Sequence, residues 1–539
     1  MLDQINRQNN NLKVNFLHFF IATLVAIFTT GWMRVHLIPF LPEMDGGHYT
    51  FLAQSFYHFL SVGENISSDM PLSLYALMTS WVYGLEINQY MALRWIDLCL
   101  AVIASIIFFK VIIKESTSLP FTFIILASSF LIMNDAVTID YGFSNSIWAS
   151  YTAFFTALLI SQNVNKDNHY VFYFIGGLAA LGVLLREPLL SFFIVGAVSI
   201  LIGYGWRALF KYSIGAALIG LPILGVSLML RGWDLAGFVD TYSYTAKVTS
   251  DYKLLFPDIF SMNGLIMASE FWYGLILFII SVFYIAKTFL SDNKINLRRY
   301  AFWLAIALVP LIEAWTKVAA PYHFAQCIPG FVGFIALTWK HLSFNESKII
   351  QRYSMIFIYV LCFLGMQSKL YSIYNNYHDG RTLENAYNQL WFNSYRDDPQ
   401  TIQTSNYLIA ADAIRQLSNK DSTLAVGGLG METLYPLTDL FPPTFRLSDL
   451  RSLYADLEFN ENKFVNILKE KQPTIIMPSI QYLKKNSSKL IWGIELLPRA
   501  IDRTGLYELV AHIKYNENID ATLVSGNIYR LKTFVKEGN

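Results

Sequence analysis

The sequence contains about eleven apolar stretches, at 16–33, 92–109, 119–134, 143–161, 170–185, 188–205, 212–230, 264–290, 300–318, 322–339 and 353–371. Each is close to the roughly 20 residues that a helix needs to cross a bilayer. Few folds remain open to a chain patterned in this way. Backbone amides and carbonyls in hydrocarbon have to be satisfied within their own segment, which leaves a bundle of membrane helices. The charge content agrees: 15% of the 539 residues are charged and 54% are hydrophobic, against roughly 25% charged in soluble domains. The net charge of +1 comes with no basic tract, so lipids are expected as partners and nucleic acid is not. Cys99, Cys327 and Cys362 lie in apolar runs without metal-like spacing, and read as small core residues.

The connections divide into two sets. Arg7, Lys13, Lys110, Lys114, Lys166, Arg207, Lys211, Lys287, Lys294, Arg298, Arg299, Lys340, Lys348 and Arg352 crowd into one set of short loops. The other set spreads Arg34, Arg94, Arg186, Arg231, Lys247, Lys253, Lys317 and Lys369 over much longer sequence. The excess of cations predicts that the first set, with the N-terminus, faces the cytoplasm of an inner membrane. An odd number of spans then exports the C-terminus. No small-residue cleavage site follows the first apolar run, so it reads as a retained anchor. On the exported face this topology gathers the loop around Asp45, the Asp135–Asp140 turn, Arg186-Glu187-Pro188, the 231–262 loop and the 318–322 turn.

Two domains are expected, a transmembrane domain over 1–371 and an extracytoplasmic α/β domain over 372–539. The tail is charged and has no run long enough to span. Ser422–Gly430 reads as a buried strand ending in a glycine turn, followed by a short helix over 431–440. Phe464–Lys471 reads as a helix, Pro473–Pro478 as a second strand, and Tyr507–Tyr515 with Asn527–Leu531 as a strand pair. The glycine turn lacks the Gly-x-Gly-x-x-Gly spacing of a dinucleotide fingerprint.

Just after the first span stands Pro42-Glu-Met-Asp-Gly-Gly-His-Tyr49. Tyr49, Leu52, Phe56, Phe59 and Leu60 then recur at helical spacing, with His48, Gln54, Ser55 and His58 on other faces. That pattern predicts a helix lying in the headgroup layer, with Asp45 at the boundary of water and lipid. Within the spans, Arg94 and Asp97 are three apart and are expected to pair, as are Glu313 and Lys317. Arg34 and His36 are expected to anchor the first helix at the headgroups.

The Asp-Gly-Gly-His-Tyr loop, Met70-Pro-Leu-Ser-Leu-Tyr75 and Ala92-Leu-Arg-Trp95 together resemble the GT-C membrane glycosyltransferases. The likeness is to the branch containing protein O-mannosyltransferases and the lipid A aminoarabinose transferase. Gly176–Pro188 is similar to that branch's fifth helix and Pro321–Gly330 to its late helix, although Pro321 stands where the branch usually has Arg. The resemblance implies an enzyme that moves a sugar from a polyprenyl phosphate to a hydroxyl of an envelope glycan, glycolipid or protein, with inversion. The phosphate is already a good leaving group, so one carboxylate suffices as general base. Asp45 is the candidate, against the alternative that it caps the helix.

Asp140 or Asp135 is expected to bind sugar or acceptor, or to help hold a divalent cation, against a turn role. His48 and Tyr49 are further substrate-binding candidates. Charge on the departing phosphate calls for fixed cations. The candidates are Arg186, Arg231, and Lys317 with His323, against headgroup snorkelling and, for Arg186, pairing with Glu187. No organic cofactor is expected. The rival readings are a glycan polymerase or ligase, a lipid-linked sugar flippase or other transporter, and a sensor.

Overall fold

The structure, a computed structural model, describes residues 16–35, 44–65, 70–134, 145–162, 170–243, 265–292, 296–316, 324–378, 404–447, 461–478, 497–512 and 526–533, apart from short gaps within these ranges. Each predicted span falls on a helix. They are α1 (Phe16–Arg34), α4 (Gln89–Ser116), α5 (Leu119–Met133), α6 (Asn145–Ser161), α7 (Val171–Leu185), α8 (Leu190–Tyr204), α9 (Trp206–Leu230), α10 (Trp272–Asp292), α11 (Leu297–Thr316), α12 (Ile328–Asn345) and α13 (Lys348–His378). Between α1 and α4 lie α2 (Met44–Val62) and α3 (Leu74–Thr79), the latter running into a 3₁₀ turn at Ser80–Gly84. Among the described residues, five helices (α1, α4, α9, α10 and α13) are long and apolar enough to cross a membrane, and α5 to α8 are shorter apolar helices. The chain is a polytopic helical membrane protein with a small C-terminal sheet.

Two compact units are present: Met1–Leu37, Arg94–Leu224 and Phe256–Thr382 form one, and Ile38–Leu93, Gly225–Leu255 and Leu383–Asn539 the other. The first is the helix bundle. Its core is aromatic, with Phe108 stacked on Phe155 at 4.4 Å and Phe121 on Trp339 at 5.3 Å between ring centroids. Helices in lipid gain from close backbone approach at small residues, and α7 and α9 use two glycines for this. A Cβ at Gly176 would sit 2.0 Å from the Tyr212 carbonyl oxygen, and one at Gly215 would sit 2.0 Å from that of Tyr173.

Charge inside the bundle is paired across helices. Asp97 of α4 pairs with Arg34 of α1, both buried, and the Arg34 guanidinium lies 5.9 Å from the Trp148 ring centre. This corrects the expected Arg94–Asp97 pair. Arg94 is itself buried, but the carboxylate of Asp97 turns to the guanidinium of the neighbouring helix. A second clamp joins three segments: buried Glu115 accepts both 2.7 Å bonds of the Arg299 Nη2 and a 2.8 Å bond from Gln162. The Glu313–Lys317 pairing lies outside the described side chains. Cys327 and Cys362 are buried as expected, whereas Cys99 is exposed on the surface of α4.

The second unit is built on a four-stranded sheet in the order β1-β2-β4-β3, with β1 (Leu424–Val426), β2 (Ile475–Met477), β3 (Tyr507–His512) and β4 (Asn527–Leu531). β1 and β2 are parallel, and the pairs β2–β4 and β3–β4 are antiparallel. Side chains alternate across a strand, and here both faces are covered. Leu424, Val426, Ile475, Met477 and Ile528 pack with α14 (Thr404–Leu417) and α15 (Leu434–Thr438) on one face. Ala425, Ile476, Tyr529 and Leu531 pack with α16 (Glu461–Lys471) and α17 (Leu497–Thr504) on the other. The first of these cores also takes in Phe51 of α2 and Tyr90.

Candidate active site

The second unit holds α2, and α2 packs against other segments of that unit on two sides. Leu52, Ala53 and Phe56 are buried in a small core with Met70 and Ala76, against which Tyr49, Phe59 and Leu230 pack. The opposite stripe, Phe51, Gln54 and His58, meets the C-terminal part of the chain. Phe51 lies 4.4 Å from Tyr435 and His58 4.6 Å from Phe441 between ring centroids, and the Gln54 amide donates to Asp439 at 3.1 Å. Positions 51, 54 and 58 follow helical spacing, so the stripe is visible in the sequence once two buried faces are allowed.

Asp45 lies in the first turn of α2, and its side chain is outside the described set. His48 follows one turn later, so positions 45 and 48 share a helix face. The His48 Nδ1 is 3.1 and 3.2 Å from the two carboxylate oxygens of Glu432. Glu432 sits on a 3₁₀ turn at Met431–Thr433 whose flanking Met431, Thr433, Leu434 and Tyr435 are fully buried. Tyr49 meets the Tyr75 ring edge-on at 6.2 Å. Behind them the Tyr83 hydroxyl donates to the Thr50 carbonyl at 3.0 Å, and burial pushes its pKa well above the usual phenol value.

Arg231 follows the last residue of α9 in the same unit and is buried. Its guanidinium donates to the Met70 carbonyl and lies 5.3 Å from the Phe238 ring centre. The adjoining turn has left-handed backbone at Gly232 (φ 62°) and Trp233 (φ 66°), and a Cβ at Gly232 would meet the Asn65 amide nitrogen at 2.8 Å. Arg231 therefore ties the segment after α2 to the end of α9, and a fixed cation is built next to the helix that carries Asp45.

Arg186 belongs to the bundle unit. It ends α7, is buried, and its backbone N–H closes the helix on the Gly182 carbonyl at 3.1 Å. In the same unit the Tyr151 ring meets Trp148 edge-on at 5.6 Å. Among the described residues the Trp148 Nε1 and the Tyr151 hydroxyl have no hydrogen-bond partner. Such buried polar groups normally have one, so this end of the bundle is polar beyond its own internal needs. Asp135, Asp140, Lys317 and His323 lie outside the described residues.

The structure thus brings His48, Tyr49 and Arg231 into one unit with the start of α2 and holds Arg186 in the other. It adds Glu432, which the sequence did not single out; a lone glutamate after a glycine turn carries no spacing signal. Among the described residues no three His, Cys, Asp or Glu come together as a metal-ligand set. No protein-family model matches the chain, and no curated protein does. Among solved structures, the chain is similar to the crystal structure of ArnT from Cupriavidus metallidurans bound to undecaprenyl phosphate. The identity is 12% and the TM-score 0.49, over 96% of this chain and 97% of that one.

Proposed function

We propose that this protein is a GT-C-type membrane glycosyltransferase that takes a sugar from a polyprenyl phosphate and passes it, with inversion, to a hydroxyl on the exported side of the cytoplasmic membrane. The observation that carries the reading is the setting of α2. An acid in its first turn is followed one turn later by an imidazole paired with a carboxylate, and the same unit holds a buried arginine. These are the parts that transfer from a phosphate requires. Asp45 takes the proton of the attacking hydroxyl as the new bond to the anomeric carbon forms. Arg231, with Arg186, Lys317 and His323 as further candidates, answers the negative charge that grows on the departing phosphate. His48 and Tyr49 contact the sugar, and Asp135 or Asp140 contacts sugar or acceptor or helps to hold a divalent cation. An aspartate pair of this kind supplies oxygen ligands suited to such an ion.

The orientation proposed with this reading has the N-terminus in the cytoplasm and residues 372–539 outside, following the crowding of Lys and Arg into one set of loops. The acceptor class is an envelope glycan, glycolipid or protein.

The test is Asp45→Asn in the full-length protein in lipid nanodiscs. Undecaprenyl phosphomannose and undecaprenyl phosphoglucose serve as donors, and release of undecaprenyl phosphate is followed. Loss of a positioned general base predicts a fall of about 10²- to 10⁴-fold in turnover, with the melting temperature unchanged. Wild-type turnover by the variant would remove Asp45 from the mechanism. Translocation of the donor without bond cleavage would favour a flippase.

A further inference from the structure

One corner of the bundle carries cations for which the site above has no use. α8 passes into α9 through a single residue, Gly205, whose left-handed backbone (φ 82°) suits glycine. So short a turn sets the end of α8 beside the start of α9. Arg298, in the first turn of α11, reaches this corner: its Nη1 donates to the Gly203 carbonyl at 3.4 Å, and a Cβ at Gly203 would lie 3.6 Å from that nitrogen. The guanidinium therefore rests on bare backbone. Arg207 and Lys211 stand one turn apart on one face of α9. The Lys211 Nζ lies 5.6 Å from the centre of the Tyr170 ring, within range of a cation–π contact.

Arg299, the residue after Arg298, turns to buried Glu115 within the bundle, whereas Arg298 is exposed. Among the described residues no carboxylate pairs with Arg207, Lys211 or Arg298. The corner thus gathers three like charges without a local counter-charge, and an anion placed among them relieves their repulsion. Rings flank the cations: Tyr170 is 74% and Trp206 71% exposed, and Tyr204 and Phe210 are exposed as well. Exposed rings beside cations fit the layer where an aromatic side chain lies at glycerol depth and a cation meets phosphate. Arg298 and Lys211 are held against backbone and ring, unlike side chains that swing freely through the headgroups.

We propose that this corner binds the headgroup of one anionic phospholipid. Arg298, Arg207 and Lys211 meet the phosphate, and Trp206 and Tyr170 lie against the glycerol and upper acyl chains. The aromatic rim commits the site to a lipid, because a free phosphate gains nothing from it. The bound lipid joins the ends of α8, α9 and α11, and none of this depends on the glycosyltransferase reading.

The experiment titrates the full-length protein in detergent with dioleoyl phosphatidylglycerol or dioleoyl phosphatidylcholine and follows the rise in melting temperature. The wild type is expected to bind phosphatidylglycerol the more tightly. A cation at an anionic surface is worth about fivefold in affinity. Arg207→Gln, Lys211→Gln and Arg298→Gln should therefore each weaken phosphatidylglycerol about fivefold, and the triple variant about a hundredfold, with phosphatidylcholine unchanged. Should the triple variant not fold, the single variants carry the test, and wild-type affinity in all three overturns the proposal. A second triple variant, Lys287→Gln with Lys340→Gln and Arg352→Gln, removes equal charge from other cation-rich loops and is expected to keep wild-type affinity. If it loses as much as the first, or if the wild type shows no preference for phosphatidylglycerol, the attraction is diffuse and no site exists here. If inorganic phosphate raises the wild-type melting temperature as much as phosphatidylglycerol does, the ligand is a free anion and the lipid assignment fails.

Discussion

Replacing Gly215 by alanine is expected to loosen the bundle by an amount the crossing geometry allows to be estimated. A methyl group there would lie 2.0 Å from the Tyr173 carbonyl oxygen. An ordinary contact is about 3.5 Å, so α7 and α9 have to part by roughly 1.5 Å at this point. A gap of that size forfeits most of the dispersion energy along the seam, where Phe172, Ile175 and Ala179 meet Ala208 and Tyr212. The seam also holds the buried Tyr212, whose hydroxyl donates to the Phe193 carbonyl at 3.0 Å. Overpacking of this kind costs about 1–3 kcal/mol. Alanine's better helix propensity offsets at most about 1 kcal/mol of that.

Gly220 lies on the same helix with nothing within 4 Å of its would-be Cβ. Gly220→Ala therefore carries the propensity gain alone and is the internal reference. Melting in detergent is followed with a thiol-reactive fluorophore, since buried Cys327 and Cys362 become reactive on unfolding. Exposed Cys99 is first changed to Ser so that it does not mask the transition. Gly215→Ala is expected to melt several degrees below Gly220→Ala. Gly176→Ala acts on the same crossing, and the double variant is expected to lose less than the sum of its two singles. A Gly215→Ala protein that melts at or above Gly220→Ala would refute the close-crossing argument.

Two further outcomes are expected. Arg299→Gln leaves buried Glu115 with only its Gln162 donor, which should lower stability by about 2 kcal/mol. Adding Glu115→Gln should recover part of the loss, because no buried charge then remains; the same thermal assay reads both. Burial pushes the Tyr507 and Tyr529 hydroxyls above the usual phenol pKa. The folded state therefore holds these protons more tightly than the unfolded chain. The stability this contributes is complete below the unfolded value near 10 and is lost as pH rises through the folded values. Tyr507→Phe should make the fall in melting temperature between pH 9 and 11 shallower, with the remaining slope due in part to Tyr529. A curve unchanged by the substitution would contradict this.

Length and apolar content made the bundle legible, because hydrocarbon imposes one requirement on every span. The four strands were legible for a related reason: Leu424–Val426 and Ile475–Met477 are short apolar runs bounded by glycine or proline, and Asn527–Leu531 alternates. α2 was only half legible. Its large apolar side chains drew attention to one stripe, whereas Gln54 and His58 on the other stripe are polar and contact residues almost four hundred positions away. Glu432 had no local mark at all, since its meaning comes from the imidazole it faces. The partner of Arg34 is not legible either: the sequence shows a cation near a span end, but not which carboxylate on another helix lies across from it.

That last pairing bears on how the chain enters the membrane. A lone Asp at the centre of a span costs about 2.5–3.5 kcal/mol on insertion scales, and Asp97, fully enclosed within α4, has Arg34 at the end of α1 as its counter-charge among the described residues. Sixty-odd residues separate the two, so the first helix is made well before the one that completes it. A nascent chain that stops short of α4 leaves the arginine at the end of α1 without this carboxylate. The first helix and α4 are in this sense one unit of insertion, joined by charge.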